Sequence, residues 1–395
     1  MSIHMRIKDT KTVLFITPVV KKFRVPFFIR LHETLSKQSV NFRVIYSEPG
    51  SMEKTKEDSA DLPLNVGKKV TARSYFNGRL TLQHVPLKEI MVANLVIIVN
   101  ANKFLVNYPI IVLSRLTSKK VAFWGHAYNH QSRHQNLREK FKACLVNRVD
   151  WWFVYSQHER YYLIGQKMPE SSITVIENAI DTTEFHSQIQ SLEPKQIWEM
   201  RNRFGINSDN IVGLYCGSLY ERKEIPFLLD VVKKIKKIIP AFVLLVVGSG
   251  PDSDLMSQYA EKYPWVKYRG AMFGIGKAVA YRIADIVLNP GLVGLGILDC
   301  FAAGLPFVTS NIDFHCPEIE YLEHGPEIEY LEHGVNGLML PFDVEYFSQQ
   351  VANLILDEDA LNKLKRGAMI TAGRVTLENM VDNVSRGVVS AISVS

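Results

Sequence analysis

The sequence predicts an α/β protein made of two doubly wound domains that face each other across a cleft. Short apolar runs alternate with longer amphipathic stretches, a pattern typical of buried parallel strands and their crossover helices. This alternation occurs twice in 395 residues, a length that suits two or three domains. The composition, 47% hydrophobic and 22% charged, excludes a wholly disordered chain, a collagen-like fibre and a coiled-coil rod.

Strands are predicted wherever an apolar run is short and rich in branched residues. In the first half they are Thr12–Thr17, Phe42–Tyr46, Leu95–Val99, Val121–Trp124 and Trp151–Tyr155. In the second half they are Ile211–Cys216, Phe242–Val247, Val266–Tyr268, Ile286–Leu288 and Phe307–Thr309. Amphipathic stretches between them predict helices at Phe27–Ser36, Arg138–Arg148 and Pro226–Ile239.

The polar segment His186–Ser208 interrupts the alternation and holds a short predicted helix instead of a strand. We therefore predict an N-terminal domain over 1–187, a C-terminal domain over 188–371, and a final helix over 372–395 that packs back towards the first domain. Ligands of open parallel sheets bind outside the carboxyl ends of the strands. The loops after the strands are therefore the predicted ligand-binding segments.

Charge is distributed unevenly along the chain. Residues 1–190 hold 27 Lys and Arg against 15 Asp and Glu, whereas residues 191–395 hold 19 against 25. The basic half predicts an anionic partner, such as lipid headgroups, nucleic acid or a phosphorylated substrate, or else a solvated basic face. No apolar run reaches the ~18 residues of a membrane-spanning helix, and no secretory signal is evident. Four widely spaced cysteines favour reduced thiols over disulfides or a zinc site.

Six segments together resemble one family. They are Phe15–Phe28, FWGHAYNH from Phe123, ITVIENAIDTTEF from Ile173, Leu214–Asp230, Leu244–Leu255 and Ala284–Ser310. In order and spacing they resemble the retaining glycosyltransferases of GT-B fold usually called family 4, of the type that builds bacterial surface polysaccharides. The resemblance covers Thr12 to about Asn336 and implies a nucleotide-sugar donor, bound mainly by the C-terminal domain.

The departing nucleoside diphosphate gains negative charge, so its site needs cations and N–H groups. Arg222 and Lys223 follow the predicted strand that ends at Cys216, although two solvated bases in a loop would read the same way. The resemblance implies that Lys223 binds the diphosphate and that Gly217 and Ser218 border the donor. The family that this chain resembles usually has an Arg at the position of Ser218. We expect Arg222 to supply that positive charge here.

A glycine-rich loop follows the predicted strand Ile286–Leu288. Glycines let a backbone approach a ligand closely, and the helix that follows offers N–H groups at its start. The predicted donor-binding residues of this loop are Gly291, Val293, Gly294, Leu295 and Gly296. The family that this chain resembles has two glutamates eight residues apart, and this chain has Gly291 and Asp299 at their positions. The resemblance implies that Asp299 holds the ribose hydroxyls. Some polysaccharide glycosyltransferases carry a similar PGxVGL form, so Gly291 does not by itself indicate inactivation.

His126 follows the predicted strand Val121–Trp124 and thus also points to the ligand-binding edge. The resemblance implies that it contacts the donor sugar and the reacting centre; a buried structural histidine is the alternative. The acidic runs at Asp252–Asp254 and Asp357–Asp359 read as solvated acids, so we predict no metal site and no cofactor. The candidate catalytic residues are therefore His126, Arg222 and Lys223.

These features predict a cytoplasmic glycosyltransferase, peripheral on the inner face of the cell membrane, that acts on a glycolipid or glycan acceptor. The basic amphipathic stretch Arg138–Arg148 supports an anionic membrane surface as a partner. Two alternatives share the fold: a catalytically inactive partner subunit, motivated by Gly291, and a sugar-nucleotide epimerase. A nucleic-acid-binding protein has only the basic half in its favour, since no binding module is recognisable, and we predict no nucleic-acid partner.

A short tandem repeat stands apart from these motifs. The sequence PEIEYLEHG occurs at Pro317–Gly325 and again, unchanged, at Pro326–Gly334. Each copy has Pro at its start and Gly at its end, which predicts two short helices. Because the second copy runs directly into VNGLML, we expect that copy to pack against the C-terminal domain.

Overall fold

A computed structural model describes residues 10–48, 59–76, 78–127, 145–311 and 326–393. These residues form two compact units. The first contains residues up to Asp181 together with those from Leu377 onwards, and the second contains the described residues from Thr182 to Thr376. The divisions predicted from the sequence, at 187 and 371, stay a prediction.

The strands lie as follows, in chain order. They are β1 Lys11–Ile16, β2 Val40–Ser47, β3 Gly67–Val70, β4 Ala72–Tyr75, β5 Leu80–Gln83, β6 Leu95–Val99, β7 Lys120–Trp124, β8 Trp151–Val154, β9 Ile173–Val175, β10 Ile211–Cys216, β11 Phe242–Val247, β12 Val266–Tyr268, β13 Ile286–Leu288, β14 Phe307–Ser310 and β15 Gly337–Leu340.

The helices of the described residues lie between and after these strands. They are α1 Val25–Lys37, α2 Leu87–Val92, α3 Asn107–Leu116, α4 Gln157–Gly165, α5 Thr183–Gln190, α6 Pro194–Phe204, α7 Ile225–Ile238, α8 Ser253–Lys262, α9 Gly274–Arg282, α10 Gly296–Ala302, α11 Val344–Leu356, α12 Glu358–Arg374 and α13 Leu377–Ser393.

Each unit is built on a parallel sheet. The first sheet has the strand order β3-β2-β1-β6-β7-β8-β9, and the second has the order β12-β11-β10-β13-β14-β15. In both, the chain adds strands on one side of the starting strand and then returns to the other side, which is the Rossmann order. The predicted α/β class with two Rossmann-like units is thus confirmed.

This topology tells where a ligand site is expected in each unit. The direction in which successive strands are added reverses between β1 and β6 in the first sheet, and between β10 and β13 in the second. Loops that leave neighbouring strands in opposite directions open a crevice at the carboxyl ends of those strands. In the second unit, the loops that follow β10 and β13 are the ones that carry Lys223 and Gly291.

Continuous apolar sequence explains why the central strands form where they do. All six residues of β11 are buried, so this strand has a helix-covered layer on both faces, as a parallel strand requires. The helix α7 buries one apolar stripe and keeps its lysines outside the core, which is the expected division for a helix on a sheet. Gly213 in β10 leaves room for the Phe242 ring, whose Cζ would lie 2.5 Å from a Cβ at that position.

The predicted strands all occur, with their ends shifted by at most two residues. The sequence did not predict β3, β9, β15 or the antiparallel pair β4 and β5. Two of these, β3 and β4, have no continuous apolar run, because they are largely polar and only partly buried. Most of the predicted helix Arg138–Arg148 lies outside the described residues.

The second copy of the repeat belongs to the second unit. Its start, Pro326–Tyr330, is a 3-10 helix, and Glu327, Tyr330 and Leu331 are buried. This copy is therefore packed, as expected, although it winds more tightly than an α-helix. The first copy, Pro317–Gly325, lies outside the described residues.

None of the helices in the described ranges is both long enough and apolar enough to cross a membrane. The final helix, α13, forms part of the first unit, where Gln38 donates a 2.9 Å hydrogen bond to the Ser385 hydroxyl.

Candidate functional site

The loop after β10 is held by the loop after β11. The amide of Leu219 donates a 3.0 Å hydrogen bond to the Ser249 carbonyl. A Cβ at Gly248 would lie 1.8 Å from the Gly217 carbonyl oxygen, and a Cβ at Gly250 would lie 2.1 Å from that of Leu219. Only glycine at 248 and 250 allows these backbones to approach so closely. The loop after β11 therefore fixes the backbone path of the loop after β10 from Gly217 onwards.

Ser218 continues this loop. Its side chain is exposed, and its carbonyl oxygen accepts a 2.7 Å hydrogen bond from the buried Tyr215 hydroxyl. That hydrogen bond fixes the orientation of the Ser218 peptide group, while the Ser218 side chain stays exposed to solvent. A Cβ at Gly217 would make only ordinary contacts with the Tyr215 side chain, at 3.7 Å from its hydroxyl oxygen and 3.9 Å from its Cζ.

Two strand-end loops meet at Lys223 and Gly291. The Leu292 amide donates a 2.8 Å hydrogen bond to the Arg222 carbonyl, and the Lys223 ammonium donates to the Leu292 carbonyl. A Cβ at Gly291 would lie 2.3 Å from the Arg222 carbonyl oxygen and 2.5 Å from the Lys223 Cα. The structure thus brings the predicted residues Arg222, Lys223 and Gly291 together, and glycine at 291 is what permits this contact.

The Lys223 ammonium is a cation kept in a poorly solvated place. Burial lowers its pKa from 10.5 to about 8, and the carboxylate of the fully buried Glu327 opposes that shift. The ammonium also lies 5.7 Å from the centre of the Tyr220 ring. A cation with few water contacts attracts an anion more strongly than a solvated one does, so this ammonium is suited to bind a phosphate group.

The remaining predicted residues of the glycine-rich loop differ in exposure. Val293 is fully buried, so only its backbone is available to a ligand. A Cβ at Gly294 would meet nothing within 4 Å, which leaves open space beside that residue. Leu295 and Gly296 begin α10, and Gly296 lies close to the Cys216 carbonyl, at the end of β10.

Asp299 lies on α10 and is nearly buried. Its Oδ2 accepts a 2.7 Å hydrogen bond from the ammonium of Lys277, on α9. Burial raises the pKa of the Asp299 carboxyl, and the charge of Lys277 opposes that rise. The sequence did not single out Lys277, because no spacing rule links a lysine early in α9 to an acid in α10.

The thiol of Cys216 lies beside this ion pair. Burial raises the pKa of Cys216 to about 11, so the thiol stays protonated and is a poor nucleophile. Cys216 and Cys300 are free thiols; Cys144 and Cys316 lie outside the described residues.

Two buried polar atoms lie at the carboxyl ends of the central strands. The Asn289 Oδ1, directly after β13, and the Thr309 Oγ1, in β14, have no hydrogen-bond partner among the described residues. Most buried polar atoms in folded proteins are paired, so an unpaired one calls for an explanation. Asn289 contacts the glycine-rich loop, because its Nδ2 donates a 3.4 Å hydrogen bond to the Leu292 carbonyl, so its Oδ1 is a candidate for a contact to a bound ligand or to water.

The first unit has its own cluster of hydrogen-bonded polar residues around His126, which follows β7. The His126 Nδ1 lies 2.8 Å from Oε1 of the buried Glu159. Because a carboxylate only accepts, the imidazole donates from Nδ1. The Glu159 carboxylate also accepts backbone hydrogen bonds from Ala127 (3.3 Å) and Tyr155 (2.9 Å). The ring is therefore held in one orientation by a carboxylate that is itself fixed.

Asn100 completes this arrangement from the neighbouring strand end. Its side-chain amide, just after β6, donates a 2.7 Å hydrogen bond to the His126 carbonyl. Glu159 was not predicted, although the Ser156-x-x-Glu159 pattern is recognisable as a helix-capping box and forms one here. What the pattern does not reveal is that the capping carboxylate also reaches His126.

Metal ligation has no support among the residues that the structure describes. No group of three or more His, Cys, Asp or Glu side chains is placed there to hold a metal ion. The acid Asp357 instead caps α12, since its carboxylate accepts a 2.9 Å hydrogen bond from the Ala360 amide.

Comparison with known protein families gives a match within the second unit. Residues 210–357 match the family described as glycosyl transferases group 1. The matched segment begins just before β10 and ends after α11, and it contains Lys223, Gly291 and Asp299.

Among curated proteins, an alpha-monoglucosyldiacylglycerol synthase of Acholeplasma laidlawii is 23% identical over 145 residues, 35% of this chain and 36% of that protein. A phosphatidyl-myo-inositol mannosyltransferase of Mycobacterium leprae is 31% identical over 105 residues, 25% of this chain and 28% of that protein. The matches thus span about a third of these relatives.

Solved structures match over nearly the whole chain. A glycosyltransferase from Rickettsia africae has a TM-score of 0.68 at 16% identity and covers 98% of this chain and 100% of its own. Anabaena Alr3699/HepE, crystallised with UDP, has a TM-score of 0.67 at 16% identity and covers 96% and 100%. These similarities establish the shared fold, and the predicted GT-B class is confirmed.

Proposed function

We propose that this chain is a retaining glycosyltransferase, of the hexosyltransferase type, that moves a sugar from a nucleotide diphosphate-sugar to a glycolipid or polysaccharide acceptor. The observation that carries the proposal is the contact between Lys223 and the glycine-rich loop, within a glycosyl transferases group 1 domain. It places a poorly solvated cation where neighbouring strand ends diverge, which is where nucleotides bind in Rossmann-like sheets.

In this mechanism the protein stabilises the leaving group. As the bond between sugar and diphosphate breaks, negative charge grows on the phosphate oxygens, and Lys223 and Arg222 offer fixed positive charge there. Asp299 accepts hydrogen bonds from the donor's ribose hydroxyls. No protein nucleophile is needed when the acceptor hydroxyl attacks from the face that the diphosphate leaves, because positioning and charge stabilisation supply the rate enhancement.

We also propose a catalytic role for His126, with Glu159 as its positioning residue. Glu159→Gln should lower kcat by about tenfold to a hundredfold, since a misplaced reacting group loses much of its effective concentration. The exposed acid Glu170, in the same unit, provides a matched control as Glu170→Gln. A wild-type kcat in Glu159→Gln, measured on protein with an unchanged circular dichroism spectrum, would contradict the role.

The acceptor class is inferred from the relatives and from charge. The Acholeplasma and Mycobacterium relatives carry names that describe transfer to lipids, and the first 190 residues of this chain are strongly basic. We propose that the basic half docks on anionic lipid, which would keep the enzyme in the cytoplasm on the inner face of the cell membrane.

Membrane docking of this kind depends on salt. Binding to vesicles of anionic lipid should weaken as salt rises, because the Debye length falls from ~10 Å at 0.1 M to ~3 Å at 1 M. Cosedimentation with anionic and with neutral vesicles at both salt concentrations measures this. Equal binding to the two vesicle types would show that charge does not direct docking.

A ligand screen followed by a transfer assay tests the proposed enzyme activity. Thermal shifts with UDP, GDP and their sugars should identify a stabilising donor, since a ligand at ~100 times its Kd adds ~2.7 kcal/mol to the free energy of unfolding. The selected donor is then incubated with glycolipid extracts. Release of the nucleoside diphosphate together with a lengthened glycan is the expected result.

The same assay separates the alternatives. Donor binding without release or transfer would identify an inactive partner subunit. An epimerised sugar, formed without any acceptor, would identify an epimerase. Failure of every nucleotide and nucleotide-sugar to stabilise the protein would overturn the proposal.

A further inference from the structure

The ion pair between Lys277 and Asp299 has features that a purely structural pair does not need. It joins α9 to α10 at the carboxyl end of β10, with 2.7 Å between the Lys277 Nζ and the Asp299 Oδ2. The Lys277 side chain is 25% exposed and that of Asp299 is 11% exposed. The pair is therefore largely shielded from water but still reachable from one side.

Its surroundings are aromatic and neutral. The Lys277 ammonium lies 4.9 Å from the centre of the Phe185 ring and 5.9 Å from that of Tyr281. The titratable groups near Asp299, besides Lys277, are the thiols Cys216 and Cys300 and the Tyr281 phenol, all with pKa values raised by burial. Lys277 is thus the cation that balances the Asp299 charge in this part of the second unit.

Hydrogen-bonding capacity is left over on both partners. Among the described residues, Asp299 Oδ1 has no hydrogen-bond partner, and the Lys277 ammonium uses one of its three N–H groups. A spare acceptor beside spare donors is complementary to two adjacent hydroxyl groups, because each hydroxyl both donates and accepts.

We propose that Lys277 is a donor-binding residue whose ammonium donates to the 2′ oxygen of the ribose while Asp299 Oδ1 accepts from the 3′ hydroxyl, so that Lys277 selects ribonucleotides over 2′-deoxyribonucleotides. This inference rests on the proposed function, since it assumes that a nucleotide binds the second unit. It adds Lys277 to the ribose-binding residues and assigns to its ammonium, rather than to the carboxylate, the contact with the 2′ oxygen.

Calorimetric titration with UDP and 2′-deoxy-UDP, and with GDP and 2′-deoxy-GDP, tests the proposal on the full chain. The wild type should prefer the ribonucleotide by about tenfold or more, the value of a hydrogen bond to a charged group. In Lys277→Met that ratio should fall towards one. The exposed Arg282, on the same helix, provides the control Arg282→Met, which should keep the wild-type ratio.

The affinity ratio separates ligand binding from a structural role. A pair that only holds α9 to α10 would lower the melting temperature of Lys277→Met and leave the ratio unchanged, which would overturn the inference while the proposed function stands. If Lys277→Met does not fold, Lys277→Leu replaces it, with the same expected loss of selectivity. A wild-type protein that binds none of the four nucleotides would overturn both proposals.

Discussion

Lys223→Met should lower the turnover of the nucleotide-sugar donor by about a hundredfold or more, the usual cost of removing one fixed donor that stabilises developing charge. The fold should survive, because methionine fills the space of the aliphatic stem and removes a charge that is costly to bury. The exposed lysine Lys237, on α7, provides the control Lys237→Met. Steady-state kinetics measures turnover, and urea unfolding measures stability.

Wild-type turnover in Lys223→Met would contradict the proposed role. Unfolding of the variant in dilute buffer would instead assign Lys223 a structural role, through its hydrogen bond to the Leu292 carbonyl. Lys223→Arg distinguishes charge from geometry, since a guanidinium retains the positive charge without matching the position of the ammonium.

The same lysine predicts a pH dependence. Its pKa of about 8 means that the donor-free enzyme carries the charge below pH 8 and loses it above. The value of kcat/KM reports on the free enzyme, so it should fall as pH rises through about 8. Lys223→Arg should lose this alkaline decline, because arginine stays charged throughout that range. An unchanged decline in Lys223→Arg would assign it to another group.

Stability should show the opposite trend. The pKa of Lys223 in the folded state lies below its value of 10.5 in the unfolded chain. Between about pH 8 and 10.5 the unfolded chain therefore binds more protons at this site, and the folded state gains stability as pH rises. The free energy of unfolding of the wild type should thus increase relative to Lys223→Met across that window.

The sequence predicts more of the fold than of the site. The strands β10 and β11 were predicted to the residue, since each is an apolar run that stops at a glycine, Gly217 or Gly248. In contrast, β3 reads GKKV and β15 reads GLML, and runs this short or this polar carry no periodicity. Such strands exist because a neighbouring strand offers hydrogen bonds to them.

The site was predictable where residues follow a strand, as Lys223 and His126 do. Their partners were not, because Glu159 lies 33 residues after His126 in the chain and Glu327 lies in a repeat more than 100 residues after Lys223. These contacts depend on how helices and loops cover the strand ends. Spacing within one segment cannot encode them.

Gly291→Ala should disrupt the site by a clash with the backbone of the loop after β10. The added Cβ would lie 2.3 to 2.5 Å from backbone atoms of Arg222 and Lys223, and a backbone cannot move aside as a flexible side chain can. Overpacking of this kind costs about 1–3 kcal/mol of the free energy of unfolding. Nucleotide affinity should fall at least about tenfold, since relief of the clash displaces both proposed phosphate-binding residues.

Gly294→Ala, in the same loop, is the stability control, because a Cβ there meets nothing within 4 Å. Its free energy of unfolding should stay within about 0.5 kcal/mol of the wild-type value. Gly291→Glu, which installs the acid expected from the resemblance, should be at least as damaging as Gly291→Ala, because any Cβ meets the same backbone. This loop should therefore require glycine at the position where the resemblance implies an acid, and higher activity in Gly291→Glu would show that Arg222 and Lys223 can move apart without cost.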